Sequence, residues 1–172
     1  MRTFSFLTAC LATTLSLLGC AESLPGRSPV AGHEASALDQ ETARILGVLN
    51  AETRDALSRD YEGWREHWVH ASYVQKTYMN MVDSSFSETR GWDRVDAFVR
   101  TYIEAHPDPE PLPSPLESAD VRLYGEGAWV SYEQEDADQG RKRESRLMEK
   151  VDGEWRIAGM HTTIYGPAPR TP

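Results

Sequence analysis

Glu144, Arg146 and His161 are residues of the right types, at the right spacing, for acid–base or anion chemistry. They lie on two alternating apolar–polar runs that flank Asp152-Gly153. Asp-Gly between two such runs marks a β-hairpin with a two-residue turn. In that register Val151 faces Glu154, Lys150 faces Trp155, Met148 faces Ile157, Arg146 faces Gly159 and Glu144 faces His161. Side chains alternate between faces, so the last four pairs share one side of the sheet, taken as concave. A carboxylate beside an imidazole orients its tautomer and raises its pKa, which makes His161, tuned by Glu144, a candidate general base. The adjacent Arg146 offers a fork for a carboxylate or similar anion. A three-residue loop would instead pair Lys150 with Glu154 and bring Arg143 opposite His161. The same trio also fits a polar rim that holds strands together.

Other residues invite chemistry less strongly. His67 and His70, near Glu66, have the spacing of two metal ligands, but no full ligand set accompanies them and no metal site is expected. Trp64, Trp68, Trp92 and Trp129 read as core or pocket wall, and Asp60 as a helix cap. Glu133, Glu135, Asp136 and Asp138 read as a solvated hairpin tip. The chain has no glycine-rich phosphate loop, nucleophile elbow or cysteine nucleophile, and no cofactor is expected.

The elements that must position these residues follow from periodicity. Asp39 caps a helix from near Glu41, with Ile45, Leu46, Leu49, Ala56 and Leu57 as its apolar stripe. A short second helix from Ser58 or Asp60 to Trp68 carries Tyr61, Trp64 and Trp68 on one face. Val69 to Met79, which includes Tyr78, reads as extended, and Ser84 to Gly91 as a polar loop. Trp92, Val95, Phe98, Val99, Tyr102 and Ile103 make the clearest helix, ended at His106-Pro107. After a proline-rich connection the period becomes two. Turns at Gly125–Gly127, Asp136–Gly140 and Asp152-Gly153 separate four antiparallel strands. The order α, α, β, α, then four strands, is an α+β architecture.

The N-terminus sets the compartment. Met1-Arg2-Thr3, an uncharged apolar run from Phe4 to Leu18, and Leu17-Leu18-Gly19-Cys20 have the layout of a secretory signal. The last four residues resemble a bacterial lipobox, in which Cys20 would be lipidated and become the mature N-terminus; an ordinary signal peptide with Cys20 free is the alternative. The apolar run is shorter than the roughly 20 residues a spanning helix needs. The reading is therefore 1–19 signal peptide, 20–40 flexible tether, 41–172 folded domain. Absence of Asp after Cys20 is compatible with the outer membrane in lipoproteins of this kind. The chain has 172 residues and a net charge of −9, so binding to nucleic acid through charge is disfavoured. Its 40% hydrophobic content, with five Trp and seven Tyr, is too high for a disordered chain.

The element order and landmarks resemble the nuclear transport factor 2-like superfamily. The run Glu144 to Trp155, with Glu-x-Arg, Asp-Gly-x-Trp and the later His161, is similar to the C-terminal hairpin of the calmodulin-dependent kinase association domain and its SnoaL-like bacterial relatives. Asp60-Tyr61-x-x-Trp64 and Gly91-Trp92 match further landmarks. The resemblance covers residues 41–166. It departs at Gly159, where the association domain carries a His, and at Gln134, where it carries a basic residue. It implies a curved, mixed but mostly antiparallel sheet wrapped as a cone around a long helix, with a pocket at the wide end. The superfamily hosts carriers, enzymes and assembly modules, so fold does not settle function. Three readings stand: a lipid-anchored domain that binds a small apolar or weakly acidic molecule through Arg146, Trp64, Tyr78, Trp129, Met148 and Ile157; a cofactor-independent isomerase, dehydratase or cyclase using His161 with Glu144; and a homodimeric assembly module.

Overall fold

The computed structural model describes residues 30–136 and 140–166, so the signal segment and Cys20 lie outside the described residues. Helix α1 spans Val30–Leu57 and α2 Tyr61–Glu66. Strands β1 (Gln75–Asn80) and β2 (Ser85–Arg90) precede α3, Trp92–Ala105. Strands β3 (Asp120–Tyr124), β4 (Gly127–Asp136), β5 (Gly140–Val151) and β6 (Glu154–Ile164) complete the chain. They form one six-stranded sheet in the order β2-β1-β6-β5-β4-β3. All neighbours are antiparallel except β1 and β6, which run parallel. The fold class is the expected α+β, with helices against an open, curved, mixed sheet.

Local chemistry explains most boundaries. The Asp60 side chain accepts from the Gly63 backbone N–H at 2.9 Å and caps α2, as expected. Position 63 admits only glycine without rearrangement, because a Cβ there would lie 2.5 Å from the Asp60 carboxylate. Gly91, at φ +85°, opens α3 in the left-handed region that favours glycine. The proline-rich connection is tied to α1 by Asn50, which donates to the Leu116 carbonyl and accepts from its N–H.

Three elements differ from expectation. Residues 69–74, expected as part of an extended segment to Met79, are turn and loop, and β1 begins only at Gln75. The first helix begins at Val30, not near Glu41, so the stretch read as tether is helical from residue 30. Residues 85–90, expected as loop, form edge strand β2. Their sequence, SFSETR, lacks the alternation of a half-buried strand because nearly every position is exposed. Polar pairing across and along the strand, Gln75 to Glu88 and Arg90 to Glu88, accompanies it.

One end of the interior is packed shut. Ile45 and Leu49 of α1 meet Trp64, Trp68, Trp92, Val95, Met148 and Ile157, all buried. Trp64 lies 5.6 Å from Trp68 and 5.8 Å from Trp92, ring centroid to ring centroid. Such offset pairs add to the burial of large apolar area. Glu41 ties the first half of α1 to the last hairpin: it accepts from the Trp155 indole at 2.6 Å and pairs with Lys150 at 3.0 Å.

Candidate functional site

The two-residue turn at Asp152-Gly153 is present, and Val151↔Glu154, Lys150↔Trp155 and Met148↔Ile157 pair as expected. Beyond them β6 carries a bulge at Ala158, so Leu147 faces Gly159, Arg146 faces Met160, Ser145 faces His161 and Glu144 faces Thr162. The extra residue reverses which β6 side chains point inward. Its position coincides with a tertiary contact: the Val69 N–H donates to the Ile157 carbonyl and the Ile157 N–H to the His67 carbonyl. The chain leaving α2 thus docks on β6 at the bulge.

His161 is therefore exposed on the outer face, away from buried Glu144 and Arg146. This corrects the expectation that His161 and Glu144 act together as a general base pair. Trp129 is likewise corrected: it is 44% exposed on the outer face, paired with Leu147, and lines no interior. Trp64, Met148 and Ile157 are inside but belong to the packed core. His67 and His70 go to separate partners, the Asp55 carboxylate at 2.8 Å and the Arg65 carbonyl at 2.9 Å. Among the described residues no group of three or more His, Cys, Asp or Glu is arranged to hold a metal.

What the sheet brings together instead is a polar cluster on two adjacent rungs. The first rung reads Val130, Arg146, Met160, Lys76 across β4, β5, β6 and β1; the second reads Tyr132, Glu144, Thr162, Tyr78. Arg146 and Glu144 are 4% and 3% exposed. Arg146 Nη2 lies 3.0 Å from Glu144 Oε2, which also accepts from the Thr162 hydroxyl at 3.1 Å. Arg146 Nε donates to the Tyr132 hydroxyl at 3.4 Å. Its Nη1 is buried and has no hydrogen-bond partner. Leaving such a donor unmet costs about 1–3 kcal/mol, more for a charged group.

From the helical side Glu52 of α1 reaches toward this cluster, its Oε1 accepting from the Trp64 and Trp68 indoles at 2.9 and 3.2 Å. Lys76 points inward between the rings of Tyr78 and Phe98, with Nζ 5.5 and 5.6 Å from their centroids. No carboxylate lies within salt-bridge distance of it among the described residues. Burial is the main influence on Lys76 and lowers its pKa; Glu52 and Glu144 oppose this and Arg146 adds to it. Burial raises the hydroxyl pKa of Tyr78 and of Tyr132, so both stay protonated. Burial also opposes the Arg146 charge, but Glu144 and its neighbours outweigh it and hold its pKa above the usual value.

An open cleft of about 740 Å³ runs between β2 and α3, lined in part by Thr89, Arg94, Phe98 and Tyr102. Phe98 lines this cleft and its ring also lies against the half-buried Lys76 amine.

Arg146 and Tyr78 were legible in the sequence; Lys76 and Glu52 were not. Glu52 lies seven residues after Ile45 and three after Leu49, on the same helical face, and that spacing is the signal that finds it. Lys76 carries a compositional signal. It is one of three lysines in a chain with fifteen arginines, and the only one in a run of β-formers.

No family model matches the chain, and no curated protein matches it. Solved structures do. A nuclear transport factor 2-like superfamily protein from Salmonella enterica serovar Typhimurium is 19% identical, with a TM-score of 0.53 over 80% of this chain and 96% of that one. A protein of unknown function with a cystatin-like fold from Nostoc punctiforme is 10% identical, with a TM-score of 0.54 over 77% and 96%. A nuclear transport factor 2-like protein of unknown function from Silicibacter pomeroyi is 13% identical, with a TM-score of 0.53 over 74% and 98%.

Proposed function

The chain has the nuclear transport factor 2-like fold, and from the chemistry of its interior we propose that it binds a small molecule with a carboxylate or similar acid group and an apolar body. The observation that carries this reading is Arg146 Nη1, a buried cationic donor without a partner. An acid oxygen is the complement it lacks, and a charge-assisted bond there exceeds a neutral one in strength. Lys76, on the same rung, adds positive charge, while Tyr78 and Phe98 supply apolar contact. The test compares benzoate with benzamide by melting temperature and by titration of tryptophan fluorescence. Benzoate is expected to raise the melting temperature and benzamide to leave it unchanged, with the benzoate effect lost in Arg146→Gln. Equal shifts for both compounds, or an undiminished shift in the variant, overturn the reading.

From the N-terminal sequence we also propose that the domain is exported and anchored to the cell envelope by lipid on Cys20. In a bacterial host the chain should partition into membranes, and Cys20→Ser should release it. A second reading, compatible with the first, is a homodimer formed through the outer sheet face, where neighbouring Trp129 and Leu147 remain 44% and 41% exposed. Sedimentation should then show a dimer that Trp129→Lys dissociates; a monomer at every concentration rejects it.

A further inference from the structure

We propose that the Lys76 amine condenses with the carbonyl of a small carbonyl-bearing acid to form an imine, while Arg146 holds the acid's carboxylate. The second half rests on the acid-binding reading above; the first stands on Lys76 itself. Of the chain's three lysines, Lys150 pairs with Glu41 at 3.0 Å and Lys142 lies 3.9 Å from Glu144. Lys76 lies against two aromatic rings and makes no salt bridge among the described residues. Burial lowers the Lys76 pKa, the direction an imine-forming lysine needs, while Glu52 and Glu144 oppose the shift. The groups that face it are Tyr78 on its own strand, Arg146 and Glu144 from β5, and Glu52 from α1. A cationic neighbour on the same rung favours deprotonation, and arginine cannot itself give up its proton in that range. The β2–α3 cleft shares Phe98 with the amine's surroundings and is the nearest described approach from solvent.

Geometry suits one ligand that touches both cations. Lys76 and Arg146 are two strands apart on one rung, so their backbones are separated by about 10 Å, a span that a small ring with a group at each end bridges together with their long side chains. The reaction needs no oxidant. The amine lone pair attacks the carbonyl carbon and forms a C–N bond. The two amine protons pass to the carbonyl oxygen, which leaves as water, and a C=N bond remains.

The experiment uses the full chain with 4-carboxybenzaldehyde, whose aldehyde and carboxylate sit at opposite ends of one ring, in the presence of cyanoborohydride. Peptide mapping by mass spectrometry is expected to place the reduced adduct on Lys76, at about tenfold or more over Lys142, Lys150 and the N-terminal amine. Lys76→Arg, which keeps the charge, should abolish that adduct while the circular dichroism spectrum is retained. Benzoate should slow the labelling by competition. Adducts spread over Lys142, Lys150 and the N-terminus with none at Lys76 overturn the imine. If benzoate still stabilises the protein in that case, acid binding stands and only the covalent step fails. If benzaldehyde labels Lys76 as fast as 4-carboxybenzaldehyde and benzoate has no effect, the role given to Arg146 is overturned.

Discussion

The two ends of the interior are built from similar sequence material and behave oppositely. At the closed end Trp64, Trp68, Trp92, Ile45, Met148 and Ile157 pack together, and the two indole N–H groups that point inward both reach Glu52. The polar groups among these rings are met by Glu52, and on neighbouring α2 the Arg65 Nε, buried without a hydrogen bond, lies 4.0 Å from the Asp96 carboxylate. At the other end Arg146 keeps one buried donor without a partner and Lys76 has rings in place of a counter-ion. Native interiors rarely leave such groups unsatisfied. Burial alone therefore does not separate a core from a site. The separation lies in whether the buried polar groups are complete without anything else.

Trp64→Ala, at the closed end, should cost about 3–5 kcal/mol in urea unfolding. It should leave benzoate affinity unchanged in the folded protein; a tenfold loss of affinity would mean that the two ends are one site. Arg146→Met should cost a comparable or slightly smaller amount, about 3 kcal/mol, because it strands the Glu144 carboxylate, whereas the double variant Arg146→Met/Glu144→Leu should recover most of it. A double variant no better than the single one would mean that the guanidinium contributes by packing, like its neighbours at the closed end.

Lys76→Met should act in the opposite direction and stabilise the protein at neutral pH by about 0.5–2 kcal/mol. Its folded-state pKa is lowered, so between that value and the ordinary one the unfolded chain binds more protons, and wild-type stability rises with pH there. Lys76→Met should lose that alkaline rise. Unfolding curves from pH 7 to 10 check it, and an identical slope in both proteins would show Lys76 to be a satisfied residue. The smallest effect belongs to Asp55. Burial raises its pKa, but bonds from His67 and Arg54 outweigh that and hold it below the usual value. Its contribution is present above the ordinary carboxylate pKa and is lost as pH falls through the folded value, so Asp55→Asn should flatten the acid side of the stability curve.

The amino-acid sequence alone determined the local elements and the near end of the last hairpin. Asp60 announces its helix, the Trp92 to Ile103 spacing announces α3, and Asp152-Gly153 selects the turn that pairs Met148 with Ile157. Each is decided within a few residues, by capping, period or turn chemistry. β2 was illegible because an exposed edge strand has no buried face to impose alternation. The far end of the hairpin was settled elsewhere. Residues 67–69 dock on Ile157, β6 bulges at Ala158, and one extra residue turns His161 outward and Met160 and Thr162 inward. The parallel pairing of β1 with β6 then sets Lys76 on the rung of Arg146, seventy residues away in the chain. No local pattern encodes either step, because each depends on backbone hydrogen bonds between segments that meet only when the whole sheet has formed.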